Sequence, residues 1–348
     1  MELNVGITPV HYCAGKGADI INSRLESFER IDASGVQSDQ LTLEVNVEGL
    51  DSIPQEGAVL TWYEGYKETE VLEIGTFKIT RITPRLFPRH ITIVATAALF
   101  DKDDSTGFKE RRSRSWDGKT LGAVFREVVE AHHLTPRVDP ELDALPLGHT
   151  DQTDETDAAF LTRIAEQYDA VAKPMDGMYV LALRGRTHTI TGKAMPTVEV
   201  TVPPDNRPGC RAFINCQLDT PSRKNAGGVI AQWVDESGNL HEIKSGNPPY
   251  KRMPEPFVNK AHAEQALKGK VRKTKREASR LTLDIPGDPR VCAELPVVLD
   301  KTFPNGMAGT RSIDRVVVRG SRSGGYRMTV VATNLQNSQA VYSNEEGA

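Results

Sequence analysis

The sequence has little of what marks several large classes of protein. Its 348 residues include four cysteines, Cys13, Cys210, Cys216 and Cys292, and only 6% aromatic residues. The cysteines show neither paired nor metal-ligand spacing, so we expect reduced thiols in a protein made in a cytoplasm. No window approaches eighteen apolar residues, and no basic segment precedes an apolar run at the N-terminus. We therefore expect neither membrane insertion nor a signal peptide.

The charge balance is also unremarkable. The formal net charge is -4, with 26% charged and 38% hydrophobic residues. A weakly acidic chain of this kind is not expected to bind nucleic acid or anionic membranes in a general way. Its length is sufficient for two or three domains.

Motifs for catalysis or metal binding are incomplete. Gly118-Lys119-Thr120 ends like a nucleotide-binding loop, but Ser113 stands where the upstream glycine is required. The segment 101–107 resembles a calcium loop, yet its glycine comes one position late and Arg112 takes the place of the bidentate acid. A solvated acidic turn is the simpler interpretation of that segment.

Two further groups of chemically active residues have ordinary explanations. His132-His133 lacks the i,i+4 spacing that puts two imidazoles on one helical face. Asp154, Glu155 and Asp157 suit the positive end of a helix dipole. The sequence therefore predicts a protein that is not an enzyme and that has no cofactor or metal.

What the sequence does contain is a faint internal repeat. Three alternating, strand-like runs in the first hundred residues recur in the same order near the end. The first set is 40–45, 79–82 and 91–96; the second is 280–285, 313–316 and 328–333. Chance similarity between short strands is the alternative explanation. A duplicated module would let a trimer present six similar modules around an axis, which suits an adapter.

The pattern of apolar and polar residues along the chain predicts a mainly β protein with an α/β insertion. We expect a first β-domain over 1–103, a middle α/β domain over 104–185 and a second β-domain over 186–335, followed by a loosely ordered tail over 336–348. Apolar stripes predict one helix after Leu121 and a second beginning near Thr153 to Asp157.

A basic helix is predicted at 259–280, within the second β-domain. It concentrates positive charge at Lys268, Lys270, Arg272, Lys273, Lys275 and Arg276. Nucleic-acid binding would favour aromatic residues between the basic ones, and this run has none. We interpret it as a candidate contact with an acidic partner subunit.

Four segments resemble the phage late control gene D protein family, the hub proteins of contractile tails, which are related to the N-terminal half of type VI secretion spike proteins. The most specific is 151–170, which is similar to the family signature Q-x-x-E-S/T-D-x-x-F-L-x-R-L/I-A; segments 38–43, 114–122 and 280–290 agree as well. The signature residues are Gln152, Glu155, Asp157, Phe160, Leu161, Arg163 and Ala165, with Trp116, Pro286 and Gly287 from the other segments.

This resemblance implies two tube-type β-barrel domains related by duplication, with the middle domain as a buttress whose Trp116, Phe160, Leu161 and Ile164 form its core. It implies a homotrimer, a pseudo-sixfold ring that joins a hexameric tail tube to a trimeric central spike. Baseplate wedge proteins and a tape-measure protein are further implied partners, with assembly in the bacterial cytoplasm. Secretion-system relatives continue into a spike domain and this chain does not, which favours a phage tail or a phage-tail-like bacteriocin.

Two alternatives stay open at this point. The basic helix would suit a DNA-binding regulator, although no specific nucleic-acid binding is expected. A tail-associated cell-wall hydrolase would need a catalytic acid such as Glu155.

Overall fold

The structure is a computed structural model that describes residues 1–3, 5–35, 39–50, 54–97, 107–108, 110–175, 178–220, 227–304, 306–322 and 325–335. Residues 101–106 of the expected acidic turn at 101–107, the boundary at 103 and the expected tail at 336–348 lie outside the described residues.

Alternation of apolar and polar residues produces most of the strands. The strands are β1 (Pro9–Gly15), β2 (Leu25–Ala33), β3 (Gln40–Asn46), β4 (Val59–Tyr66), β5 (Val71–Arg85), β6 (His90–Ala97), β7 (Arg111–Trp116), β8 (Thr135–Val138), β9 (Thr150–Thr156), β10 (Ala170–Met175), β11 (Met178–Leu183), β12 (Val198–Val200), β13 (Asn215–Asp219), β14 (Gly228–Val234), β15 (Leu240–Gly246), β16 (Tyr250–Arg252), β17 (Arg280–Pro286), β18 (Pro296–Leu299), β19 (Gly309–Ser321) and β20 (Arg327–Asn334).

The helices are α1 (Ala18–Arg24), α2 (Leu121–Glu130), α3 (Pro140–Asp143), α4 (Asp157–Gln167) and α5 (Lys260–Arg276). Side-chain oxygens of Thr120, Thr156 and Asn259 accept hydrogen bonds from the first turns of α2, α4 and α5. These caps satisfy amide groups that have no partner inside the helix. No helix in the described part of the chain is long and apolar enough to cross a membrane.

The chain divides into two compact units built from non-consecutive segments. One comprises 1–103, 196–218 and 281–332, and the other comprises 104–195, 219–280 and 333–348. This division differs from the three consecutive domains expected from the sequence. The local pattern of apolar and polar residues does not show which strands pair with one another. The mainly β character is as predicted.

The first unit contains a twelve-stranded sheet. Its main path is β1-β4-β5-β6-β3-β2-β19-β20-β17-β13, with β18 beside β19 and β12 beside β18. The expected alternation is confirmed, since Leu41, Leu43, Leu281 and Leu283 are all fully buried.

Two five-strand sets within this sheet have the same topology. In chain order the first set is β2 to β6 and the second is β13, β17, β18, β19 and β20. In space both follow the order third, fourth, fifth, second, first. The sets meet where β19 pairs antiparallel with β2. The three strand-like runs of the sequence repeat therefore occupy matching places in the two sets.

Backbone hydrogen bonds match between the sets as well. In each, a residue with positive φ donates to the carbonyl of an isoleucine in the long fourth strand, and the next residue accepts from that isoleucine. The bonds are Gly57 N to Ile79 O (2.8 Å) and Ile79 N to Ala58 O (2.9 Å), then Glu294 N to Ile313 O (2.8 Å) and Ile313 N to Leu295 O (2.9 Å). Gly75 and Gly309, each four residues before its isoleucine, have φ of 153° and 127°. The two sets thus share these backbone hydrogen bonds as well as their strand order.

Three small sheets, β7-β9, β10-β11-β8 and β15-β14-β16, lie in the second unit with α2 to α5. The face of α5 carrying Ala263 and Leu267 packs on Val229 and Ala231 of β14. The basic helix thus belongs to the same unit as the middle α/β segment. The prediction that placed α5 within the second β-domain was therefore wrong, because the amphipathic pattern of a helix does not reveal which sheet the helix covers.

The expected start of the second helix also needs correction. Asp154 and Glu155 belong to β9, so α4 starts only at Asp157. The threonine that caps α4 is Thr156.

Candidate functional site

The signature residues form a polar cluster where β7, β9 and α4 meet. Asp157 is fully buried at the first position of α4. Its carboxylate accepts from Gln152 Nε2 at 2.8 Å and from Arg114, and His132 Nε2 lies 2.7 Å from its other oxygen. Gln152 Oε1 in turn accepts from Arg114 Nη2 at 3.0 Å. A buried carboxylate with this many partners fixes the start of the helix against the two strands.

Glu155 and Arg163 form the outer part of this cluster. Arg163 pairs with Glu155 and also donates to the Asp151 carbonyl at 2.6 Å. The carboxylate of Glu155, which the hydrolase hypothesis would use, is therefore held by a cation. We interpret the pair as a clamp between β9 and α4.

Beneath the polar cluster lies an apolar core. Trp116 and Phe160 stack with ring centroids 4.6 Å apart, and Leu161, Ile164 and Ala165 are fully buried. The expectation that Trp116, Phe160, Leu161 and Ile164 are core residues is confirmed.

Pro286 and Gly287 lie at the end of β17 in the first unit. Gly287 N donates to Tyr326 O at 2.9 Å, and Gly287 O accepts from the Tyr66 hydroxyl at 2.9 Å. A Cβ atom on Gly287 would come within 2.3 Å of the Tyr326 ring. Glycine is needed here because aromatic rings approach the backbone so closely.

A buried cluster around Glu64 was missed by the sequence analysis. Glu64 is fully buried and accepts from Arg30 Nε (2.7 Å), Arg30 Nη2 (3.1 Å), Trp62 Nε1 (2.8 Å) and the Tyr326 hydroxyl (2.9 Å). Burial alone raises the pKa of Glu64, but Arg30 and the donated hydrogen bonds outweigh it and hold this pKa below its usual range. The cluster links β2 and β4 to the residue just before β20. The sequence held one signal for this cluster, because the alternation along β4 places the acidic Glu64 at a buried position.

The basic helix α5 is not a uniform charged surface. Arg276 is buried and pairs with the buried Asp169, its Nη2 lying 3.0 Å from Asp169 Oδ1. Arg272 Nη2 donates to the Tyr168 carbonyl at 2.9 Å. Both side chains hold α5 against the residues that follow α4. Contact of the basic helix with an acidic partner subunit stays a prediction. Lys268 and Lys275 are exposed, whereas Lys270 and Lys273 are partly buried.

Replacing Gly269 with alanine is expected to destabilise the protein. In an exposed helix this change stabilises by about 1 kcal/mol. Here the new Cβ atom would meet Gln167 O at 2.4 Å and Tyr168 Cα at 2.7 Å. We expect a loss of about 1–3 kcal/mol in the free energy of unfolding, measured by urea titration. The exposed Lys268→Ala is the control, with a change within about 0.5 kcal/mol; a stabilised Gly269→Ala would contradict the close packing of α5.

Acidification is expected to destabilise the protein through His262. Its ring is buried beside Phe257, with centroids 4.9 Å apart, and neither ring nitrogen has a hydrogen-bond partner among the described residues. Burial lowers the pKa of His262. The unfolded chain then binds more protons than the native one, so the free energy of unfolding falls as the pH drops below about 6.5.

The test compares unfolding midpoints at pH 7.5 and pH 5.5. His262→Phe is expected to reduce the loss of stability on acidification, and His188→Phe, at an exposed position, is expected to leave it unchanged. An unaltered pH dependence in His262→Phe would contradict this account.

The incomplete motifs have structural roles. Thr120 caps α2, and Lys119 pairs with Glu127 on that helix. His132 belongs to the Asp157 cluster. Across the described residues, no group of three or more histidine, cysteine, aspartate or glutamate side chains is placed to hold a metal ion.

Comparison with known proteins gives family relatives over the middle of the chain. Residues 85–237 match the model of the phage tail baseplate hub (GPD) family. A probable baseplate hub protein of Escherichia phage P2 is 34% identical over 182 residues, 52% of this chain and 46% of the relative. One from Escherichia phage 186 is 30% identical over 238 residues, 67% of this chain and 58% of the relative. The chain thus spans about half the length of these relatives.

Solved structures extend the likeness of fold to nearly the whole chain. A tail protein of Neisseria meningitidis MC58 aligns with a TM-score of 0.67 at 12% identity, covering 94% of this chain and 97% of that one. An E. coli type VI secretion component, described as similar to the T4 tail proteins gp27 and gp5, aligns with a TM-score of 0.53 at 10% identity over 91% and 74%. At this identity the match shows the fold alone. Over residues 85–237, and through the two phage relatives, the chain is thus similar to the phage tail baseplate hub (GPD) family.

Proposed function

We propose that this chain is the structural baseplate hub of a contractile phage tail or phage-tail-like bacteriocin. The relatives from phages P2 and 186 are described as probable baseplate hub proteins, and the fold is similar to that of tail proteins. In this role a homotrimer joins the hexameric tail tube to the trimeric central spike. The protein would assemble in the bacterial cytoplasm and end in the baseplate, beside wedge proteins and a tape-measure protein.

The observation that carries this proposal is the identical topology of the two five-strand sets in one sheet. We infer that the sets arose by duplication and serve as the two tube-type barrel domains. Three copies would supply six such sets, so a threefold object could match a sixfold tube on one side and a threefold spike on the other. A structural role also suits the signature residues, which are used for internal packing in the Asp157 cluster.

The direct test is deletion of the gene from its native genome, followed by electron microscopy of the tails. We expect particles without complete tails, restored by the wild-type gene supplied in trans. Complete, contractile tails without this chain would overturn the hub proposal. Light scattering of the purified chain gives an independent measurement, with a mass near three chains expected.

A further inference from the structure

The turn between β5 and β6 carries the two most exposed large apolar side chains among the described residues. Leu86 is 88% exposed and Phe87 is 91% exposed, whereas the next in order, Ile7, is 62% exposed. β5 ends at Arg85 and β6 begins at His90, so both side chains lie at the tip of the hairpin. Adjacent apolar side chains that the fold leaves in water are typical of a surface that binds something else, and we call this pair the apolar tip.

The two strand sets offer an internal comparison for this turn. The corresponding hairpin of the second set joins β19 to β20 through residues 322–326, with the sequence Arg-Ser-Gly-Gly-Tyr. Its one large apolar side chain, Tyr326, is buried and donates a hydrogen bond to Glu64. The same strand order is thus built with a turn that has no counterpart of the apolar tip. The fold of a strand set therefore does not require Leu86 and Phe87.

Positive charge surrounds the apolar tip. Residues 74–97 contain one lysine and three arginines and no aspartate or glutamate, so their formal charge is +4. The three arginines, Arg81, Arg85 and Arg89, are exposed. Because the whole chain has a formal charge of -4, the residues outside this segment carry -8. The hairpin is therefore a local concentration of positive charge on an otherwise acidic chain.

We propose that the apolar tip docks on the surface of a lipid bilayer that contains anionic phospholipids. Leu86 and Phe87 enter the boundary between the headgroups and the acyl chains, and the guanidinium groups of Arg85 and Arg89 meet lipid phosphates. The hairpin is apolar at its end and cationic directly behind it. A bilayer surface has the same order in depth, since anionic headgroups overlie hydrocarbon.

Charge complementarity favours such a bilayer as the occupant. An anionic surface attracts the hairpin and repels the acidic remainder of the chain, so the chain binds in one orientation, through the apolar tip. This also explains why the net charge of the whole chain, which predicts no general affinity for anionic membranes, does not describe the hairpin.

Symmetry strengthens a contact that is weak in one chain. Two apolar side chains with a few cations anchor a protein only reversibly. In the homotrimer of the proposed function, rotation about the threefold axis leaves the direction along that axis unchanged, so the three apolar tips face the same side. Three linked weak contacts then bind far more tightly than one.

The acids beside the hairpin provide a test of sign. Glu26 of β2 pairs with His90, whose Nε2 lies 2.8 Å from its Oε2. Glu48 is exposed, and its neighbour Val47 donates to the Arg89 carbonyl at 2.9 Å. An anionic surface repels the carboxylate of Glu48. We therefore expect Glu48→Gln to strengthen binding to acidic vesicles by about twofold to fivefold.

The experiment is sedimentation of the full chain with large unilamellar vesicles. Vesicles of phosphatidylcholine with about 30% phosphatidylglycerol are compared with vesicles of phosphatidylcholine alone, and we expect at least about tenfold tighter binding to the acidic ones. Leu86→Ser with Phe87→Ser should weaken that binding at least about tenfold. Arg85→Gln with Arg89→Gln should remove most of the preference for acidic vesicles.

Matched controls change the same chemistry elsewhere. Ile7→Ser removes another exposed apolar side chain, and Lys251→Gln with Lys301→Gln removes two other exposed cations. Each should leave vesicle binding within about twofold of the wild-type value, and all variants should keep the wild-type unfolding midpoint in urea because the altered side chains are exposed. Phe87→Trp adds a local measurement, since brominated lipids should quench its fluorescence more than that of the wild-type chain.

Vesicle binding that depends on both the apolar pair and the arginine pair supports the proposal. Equal sedimentation of the wild-type chain with and without vesicles overturns it, and so does unchanged binding of Leu86→Ser with Phe87→Ser. A lower light-scattering mass of that variant would show that a second copy covers the apolar tip, which also overturns the proposal. Incomplete tails made with that variant, when the wild-type chain binds no vesicles, would assign the tip to a neighbouring protein. Failure of the hub proposal is recognised separately, as complete tails in the deletion strain, and leaves vesicle binding by the purified chain unaffected.

Discussion

Replacing Glu64 with glutamine is expected to lower the free energy of unfolding by about 3–5 kcal/mol. The substitution keeps the shape of the side chain but removes the carboxylate charge that contacts the buried guanidinium of Arg30. It also replaces one accepting oxygen with an amide N–H₂ group. That group would face hydrogen-bond donors, because Arg30, Trp62 and Tyr326 all donate to this carboxylate. Unfolding in urea, followed by tryptophan fluorescence, measures the change.

The matched control for this experiment is Glu29→Gln. Glu29 also pairs with an arginine, its Oε2 lying 2.8 Å from Arg319 Nε, but the two side chains are 37% and 59% exposed. Water screens such a pair, so the control should lose no more than about 1 kcal/mol. Equal losses in the two variants would contradict the view that burial makes the Glu64 cluster important. Because the pKa of Glu64 is depressed, its contribution persists at neutral pH and disappears as the pH falls through that lowered value.

Replacing Asp169 with asparagine is expected to produce a loss of similar size, about 3–5 kcal/mol, in the second unit. Asp169 has a φ of 54°, a conformation that asparagine tolerates, so the backbone should be unaffected. What changes is the charge facing Arg276, which is buried with it. The consequence is a buried cation that loses its buried partner and keeps the longer contact with the half-exposed Glu277, at 3.6 Å.

A double-mutant cycle separates this cause from a general loss of packing. Arg276→Met removes the cation, and the double variant Asp169→Asn with Arg276→Met should be less destabilised than the sum of the single variants by at least about 1 kcal/mol. Strict additivity would show that the two side chains do not act as a pair. Hydrogen exchange of α5 amides adds a local measurement, with faster exchange expected in Asp169→Asn.

Local patterns were sufficient for much of the secondary structure. The strands at Gln40–Asn46 and Arg280–Pro286 follow from strict alternation, which buries every second residue on one face. The helix after Thr120 follows from its apolar stripe and cap. The strand β2, by contrast, was missed: its inward residues Arg30 and Asp32 are charged, so its pattern is not one of apolar alternation.

The resemblance to the hub family and the candidate signature residues could also be recognised from the sequence, because they depend on residue identities at fixed spacing. The partners of those residues were not. Asp157 looks like an ordinary first-turn acid, and only the fold brings Arg114 and His132 to it. Arg276 likewise looks like an exposed charge in the sequence, and only the fold shows that it lies beside Asp169.

The sequence by itself determined the mainly β composition, the order of the repeated runs and the places of most helices, since these depend on neighbours a few positions apart. Tertiary structure decided that the two strand sets share one sheet and one topology, that α5 packs with the middle segment, and that, among the described residues, β13 pairs on one side with β17 and the end of β5 on one side with β6. Strand order and edges depend on pairings between residues far apart in the chain, and alternation along one strand carries no information about which strand lies beside it.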